Sequence, residues 1–114
     1  KVAFSDDAGA RFGRPVRIDG GAPAGRVDAA LLPGGDALVT WVERIGGDTA
    51  AVRVRRISRD GKVGKSMTVT ASSAARASGF PRMAVTGRNV MFAWTVPGKP
   101  SAIRVARIPV EGIR

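Results

Sequence analysis

The chain has no cysteine, no histidine and no tyrosine among its 114 residues. Without cysteine there is no disulfide framework and no thiolate metal site. Without histidine the commonest general base and metal ligand is missing, and every serine or cysteine triad built on an imidazole is excluded. Only four Phe and two Trp are present, too few for a platform on which single-stranded nucleic acid would stack. No apolar run approaches the ~18 residues of a membrane-spanning helix, so no membrane span is expected. Acidic residues are scarce, nine against nineteen Lys and Arg, and several fall in turns. No pair of carboxylates can therefore be assigned to glycoside hydrolysis. No signal peptide is visible, and the chain opens inside a strand-like stretch, which reads as a cut and not as a natural start.

What the chain does have is basic charge, a net +10 carried by 15 Arg and 4 Lys. Such a balance can attract nucleic acid or anionic surfaces. Here the arginines are scattered, mostly alternating with Val, Ile and Ala, with no run of five like charges. The expectation is solvated strand faces and no nucleic-acid partner. The abundance of Ala, Arg and Gly fits a GC-rich genome and carries no function.

Short apolar stretches alternate with clusters of Gly, Pro, Asp and Asn, and no stretch has the spacing of an amphipathic helix. The expected strands are Val2–Ser5, Pro15–Ile18, Arg26–Leu32, Ala37–Glu43, Ala51–Ser58, Ser66–Thr70, Phe80–Thr86, Val90–Thr95 and Ile103–Ile108. Ala37–Glu43 is apolar on both faces, as a strand covered on both sides should be. Asp19–Gly25 and Ile45–Thr49 read as connections. Ala71–Ser78 lacks large apolar residues at helical spacing and reads as a loop. The fold class is all-β, with antiparallel strands.

The pattern then recurs. Phe80–Thr86 falls on Val27–Pro33, Trp94 on Trp41, and Ile103–Ile108 on Val52–Ile57. Glu111-Gly112 falls on Asp60-Gly61, these on Asp7 and Gly9, and Gly64 on Gly13, at spacings of 51 to 53 residues. Four short strands per repeat of about 50 residues is the signature of a propeller blade.

The turns of this repeat have a chemistry of their own. Ser5-Asp6-Asp7-Ala8-Gly9-Ala10-Arg11-Phe12 reads S-x-D-x-G-x-x-aromatic. The Asp7 carboxylate can accept backbone N–H groups a few residues on and close a turn. Gly9 can take the positive φ that a tight bend needs. Ser5 adds a hydroxyl to the same network, and Phe12 can pack its ring under the turn. The pattern resembles the Asp-box (BNR repeat) of sialidase-like β-propellers. Ser58, Asp60 and Gly61 form an eroded copy that drops one residue and the aromatic, and Pro109–Gly112 keeps only the acid and the glycine.

That resemblance implies antiparallel four-stranded blades. Residues 1–25 would be the end of one blade with its Asp-box, 26–70 a complete blade and 80–114 three strands of the next. Two blades do not close a ring, and bare apolar faces on terminal repeats are unstable. The resemblance therefore implies a ring of about six blades, about 300 residues at this period, completed by remaining blades or by other copies of the chain. In that family the Asp-box is structural and lies away from the active site. The sialidase reaction needs a Tyr nucleophile assisted by Glu, and this chain has no Tyr, so no catalytic residue is assigned.

Candidate ligand-binding residues follow from the same resemblance. Phe80-Pro81-Arg82-Met83 starts the first strand of a blade, where the family faces its central pocket, and Arg82 is the candidate carboxylate clamp. The family's clamp motif is Phe/Tyr-Arg-Ile-Pro, and the order here departs from it. Arg26 and Asp28 hold the corresponding part of the preceding blade, and a desolvated Asp28 would suit a general acid. Glu43, with Arg44 and Asp48, lies by the connection expected to share the pocket side with Arg82. Trp41, Trp94, Phe12, Phe80 and Phe92 are expected in the core. Arg53, Arg55, Arg104 and Arg107 are expected as surface charges or as partners of Asp and Glu. The acids are not spaced as a calcium loop and the glycine pairs read as turns, so no metal and no cofactor are implied.

The expected function is a non-catalytic propeller segment, a scaffold for a face that binds a glycan or an extracellular protein. The resemblance implies an exported location: periplasmic, secreted or cell-surface. One alternative is part of a glycoside hydrolase of exo-sialidase type whose catalytic residues lie mainly outside this chain. Another is a purely structural propeller for protein interaction.

Overall fold

Strand Ala37–Gly46 lies between two apolar layers, and every residue from Ala37 to Glu43 is buried. Period-two alternation sends its side chains to both layers. Leu38 faces one core, with Val54, Met83, Val90 and Phe92; Val39 and Trp41 face the other, with Ile18 and Ile57. The apolar-on-both-faces pattern of the sequence is thus explained by cover on both sides.

The computed structural model describes all 114 residues. Strands β1 (Pro23–Leu31), β2 (Ala37–Gly46), β3 (Thr49–Ile57) and β4 (Met67–Ser73) form a first antiparallel sheet, paired in chain order. Strands β5 (Arg82–Thr86), β6 (Asn89–Val96) and β7 (Ala102–Pro109) form a second, also in chain order. There is no α-helix; short 3-10 turns occur at Arg76–Ser78 and Val110–Gly112. No helix is long and apolar enough to cross a membrane.

The two sheets pack face to face. Leu38 and Val54 of the first meet Met83, Val90 and Phe92 of the second, and Leu32 and Ile113 close the same cluster. Half-buried Val85, Trp94 and Ile108 line the second sheet's side of it. The other face of the first sheet is covered by the N-terminal segment, through Ile18, Val2 and Phe4.

Four expectations are corrected. Neither Val2–Ser5 nor Pro15–Ile18 forms a strand; their pairing is the single Val2–Val16 bridge, with N···O distances of 2.8 and 2.7 Å. Pro15 has no N–H to continue a ladder. The β2–β3 connection shrinks to Gly47-Asp48, because Gly46 still pairs with Thr49. β4 runs on to Ser73, where Ala71, Ser72 and Ser73 pair with Ala51, Ala50 and Thr49. Backbone pairing extends this strand where side-chain pattern gives no signal. Finally, Phe12 and Phe80 are 64% and 68% exposed, so neither belongs to the core, whereas Phe92 and Trp41 do.

Candidate functional site

The meander topology sorts the turns onto two ends. One end carries the Ser5–Phe12 turn, the β1–β2 turn at Pro33–Asp36 and the β3–β4 turn at Ser58–Lys62. Asp6 pairs there with Arg59, and Asp36 accepts from Arg56 Nε at 2.8 Å and from the Arg59 N–H at 3.2 Å. The opposite end carries Arg26, Glu43, Gly47-Asp48, the β4–β5 connection and the start of β5 at Arg82.

At the first end the Ser5–Phe12 turn is closed by side chains. Ser5 Oγ accepts the Gly9 N–H at 2.8 Å and donates to Asp7 Oδ1 at 2.8 Å. Asp7 Oδ1 also accepts the Arg11 N–H at 2.8 Å. Gly9 sits at φ +88°, a region open to glycine at little cost. The backbone N–H of Arg11, followed by the Ser5 hydroxyl, holds the Asp7 carboxyl below its usual range. Ser58 repeats the arrangement: its hydroxyl donates to Asp60 and accepts the Lys62 N–H at 3.1 Å. The Ser58 hydroxyl likewise lowers the Asp60 carboxyl. Gly61 has φ +89°. Behind each turn a glycine N–H reaches back, Gly13 to Phe4 O and Gly64 to Arg56 O, both at 2.8 Å. The second loop is shorter than the first, and one of the residues it lacks is the one missing from its motif.

At the opposite end the candidate residues are engaged with the protein itself. Asp28, on β1, spans the boundary between the sheets: its Oδ2 accepts the Met83 N–H at 2.9 Å and Arg82 Nε at 3.2 Å. The structure therefore brings Asp28 and Arg82 together. Arg26, at φ +57° in the irregular start of β1, donates to the carbonyls of Ser73 (3.4 Å), Ala74 (3.0 Å) and Ala75 (3.0 Å). It fastens the β4–β5 connection. Glu43 lies on the other face of the first sheet from Asp28, since Asp28 pairs with Thr40 and the faces alternate. Its carboxylate accepts the Trp41 indole N–H and, at 3.0 Å, the Ala22 N–H. Burial pushes the Glu43 carboxyl up, but the Trp41 indole and the Ala22 and Gly20 N–H groups outweigh it, and the group sits below its usual range. Glu43 is thus a buried anchor for the Asp19–Ala22 connection and does not join Arg82. Beside it, the hydrogen bond and charge of Arg17 lower Asp19, and Asp19 raises Arg17 in return.

Of the four strand arginines, Arg104 and Arg107 are exposed surface charges as expected, whereas Arg53 and Arg55 are half-buried. None of Arg53, Arg55, Arg104 and Arg107 pairs with an acid. Arg53 donates to Thr68 Oγ1 at 2.7 Å, and Arg55 donates to Ile18 O at 2.8 Å while its guanidinium lies 5.9 Å from the Trp41 ring centroid.

Next to the carbonyls held by Arg26 is an open cleft of about 280 Å³, lined by Ser72, Ser73, Ser78, Trp94, Thr95 and Pro97 among others. Ser78 is only 3% exposed, yet its hydroxyl has no hydrogen-bond partner. Buried hydroxyls are normally satisfied, so this one stands out as lacking a partner. Sequence reasoning missed these residues: Ala71–Ser78 reads as a loop and Trp94 as core. The density of serines in that loop is the one signal that pointed here. No family model, curated protein or solved structure matches this chain.

Proposed function

We propose that the two sheets are consecutive blades of a sialidase-like Asp-box β-propeller, and that the chain is a non-catalytic binding module whose ligand is a glycan. The blade reading is supported by the two turn networks, Ser5/Asp7 and Ser58/Asp60, which recur in register with the Trp41 and Trp94 strands. The binding role rests on one observation. At the end opposite the Asp-boxes, Ser78, whose shielded hydroxyl has no partner, lines a cleft with Ser72, Ser73, Thr95 and the half-buried Trp94. Hydroxyl donors and acceptors next to an indole suit a sugar, whose ring has polar edges and an apolar face.

Catalysis has less support. Asp28 is bonded to β5, Glu43 to Trp41 and Ala22, and Arg26 to three carbonyls, so none of these three candidates stands free. A propeller of this kind works in an exported setting, where glycans and extracellular proteins are its partners.

Screening the folded chain on an immobilised glycan panel tests the proposal. Binding that weakens about threefold to tenfold in Ser78→Ala, the loss of one hydrogen bond, is the expected result. No binding to any glycan, or hydrolysis of a fluorogenic sialoside by the wild-type chain, refutes it.

A further inference from the structure

The second sheet has a face and an edge that nothing covers. Ala84, Met91, Ala93, Ile103 and Val105 share its outer face by the β5–β6–β7 register. Ile103 and Val105 are 69% and 60% exposed. The repeat says what such a face is for. With Trp94 on Trp41 and Ile103–Ile108 on Val52–Ile57, residues Met91, Ile103 and Val105 hold the places of Leu38, Val52 and Val54. Those three are fully buried, on the face that packs against the second sheet. The exposed face is therefore the same half of the same interface, one repeat further on.

The other half is also present. On the Trp41 side of the first sheet, the N-terminal segment covers only part of the surface. Beside it lies an apolar cleft of about 370 Å³, lined by Ala29, Leu31, Ala37, Val39, Phe4 and Phe12 among others. Leu31 there is 70% exposed. Each chain thus carries both halves of an interface that it already makes once inside itself.

We propose that the outer face of the second sheet docks on the Trp41-side face of a second copy of this chain, head to tail. The inference rests on the blade reading above. It has a strand-level corollary. The second sheet has three strands where the first has four. Arg14–Ile18 of the neighbour falls on the β4 position of the repeat, so it would lie alongside β7 as the fourth strand. To admit β7, Val2–Phe4 leaves the place it now holds through the Val2–Val16 bridge. Assembly therefore competes with an intramolecular plug, and is concentration-dependent. Because the net charge is +10, copies repel, and added salt strengthens the assembly by screening.

A head-to-tail interface has two different halves, and a repeated one builds rings or filaments. That property gives a complementation test by light scattering, from micromolar to millimolar protein. Val105→Lys spoils one half and Leu31→Lys the other, and both sites are exposed enough to leave the fold intact. Wild type is expected to self-associate, and each variant alone to be monomeric. An equal mixture of the two variants is expected to give a dimer and nothing larger, since only one intact pair of halves remains. A wild-type chain that stays monomeric at millimolar concentration overturns the inference, as does self-association that survives either substitution. The blade reading is checked separately in the same samples, through nuclear Overhauser contacts between the Asp28 region of β1 and Met83 of β5. If those contacts persist in a monomer, only the assembly is refuted; if they are absent, the stacked sheets are.

Discussion

Replacing Asp28 separates a structural carboxylate from a catalytic or ligand-binding one. Its side chain is 19% exposed, and Oδ2 takes both the Met83 N–H at 2.9 Å and Arg82 Nε at 3.2 Å. The two partners are not equal. Met83 is 9% exposed and sits at the seam between the sheets, so its N–H loses a charged acceptor in Asp28→Ala. A hydrogen bond to a charged group contributes about 1.5–3 kcal/mol. Arg82 is 78% exposed on its side chain, and an ion pair of that kind contributes about 0–1 kcal/mol. Asp28→Ala is therefore expected to cost about 2–3 kcal/mol, and Arg82→Ala less than about 1 kcal/mol. Asp28→Asn retains an amide oxygen for the Met83 N–H and falls between them. The assay is urea unfolding with the slope held constant, so that midpoint changes report stability alone. Amide exchange at Met83 reports the bond itself. If Arg82→Ala costs as much as Asp28→Ala, or if Asp28→Ala leaves Met83 protected, the carboxylate is not the clasp between the sheets.

Ser78→Ala is expected to leave stability unchanged or slightly raised, because it removes a buried hydroxyl that bonds to nothing; a loss above about 1 kcal/mol in urea unfolding shows a hidden structural partner. Gly64→Ala is expected to lower the urea midpoint clearly and Gly13→Ala hardly at all. An added Cβ at Gly64 would lie 2.5 Å from Arg114 O and 2.9 Å from Arg56 O, whereas the nearest atom at Gly13, Phe4 O, is 3.6 Å away. Asp7, Asp19, Asp60 and Glu43 all sit below ordinary values of 3.8 and 4.5. Their contribution is full above those values and is lost as pH falls through the lowered ones; with no histidine, the urea midpoint should be flat between about pH 5 and 8. Asp7→Ala is expected to abolish amide-exchange protection at Arg11 without changing glycan binding, and loss of binding would contradict a purely structural turn.

Much of the fold was legible because its signals are local or periodic. The strand of Ala37–Glu43 declared its two-sided burial by lacking polar alternation. Ser5, Asp7 and Gly9 declared their turn because the bonds that close it run over only two to four residues. What failed needed knowledge of the layers. Phe12 and Phe80 look like core residues, but whether a phenyl ring is covered depends on what packs above it. Glu43 looked like a pocket carboxylate because it lies beside a connection. Its engagement with Trp41 follows from the Trp-x-Glu spacing, which puts both side chains on one face of a strand. The strand equivalence of Arg53 and Arg104 was legible, but that Arg53 meets Thr68 while Arg104 stays in solvent was not.

The two ends of the sheets divide the chemistry between them. At the end of the Ser5–Phe12 turn the acids are local: Asp7 and Asp60 close their own turns, and Asp36 ties two neighbouring strands through Arg56 and the Arg59 N–H. Every one of those bonds holds a hairpin in place, so change there alters stability and leaves the far end alone. At the other end the charges again serve the frame, Arg26 on the β4–β5 connection, Glu43 on the Asp19–Ala22 segment and Asp28 across the seam. The cleft beside them is lined by neutral residues, among them Ser72, Ser73, Ser78, Trp94 and Thr95. A cleft lined without charged side chains favours recognition by hydrogen bonds and ring contact over recognition by charge. On the proposed reading, glycan binding should therefore be insensitive to ionic strength, whereas the proposed self-assembly should strengthen with added salt.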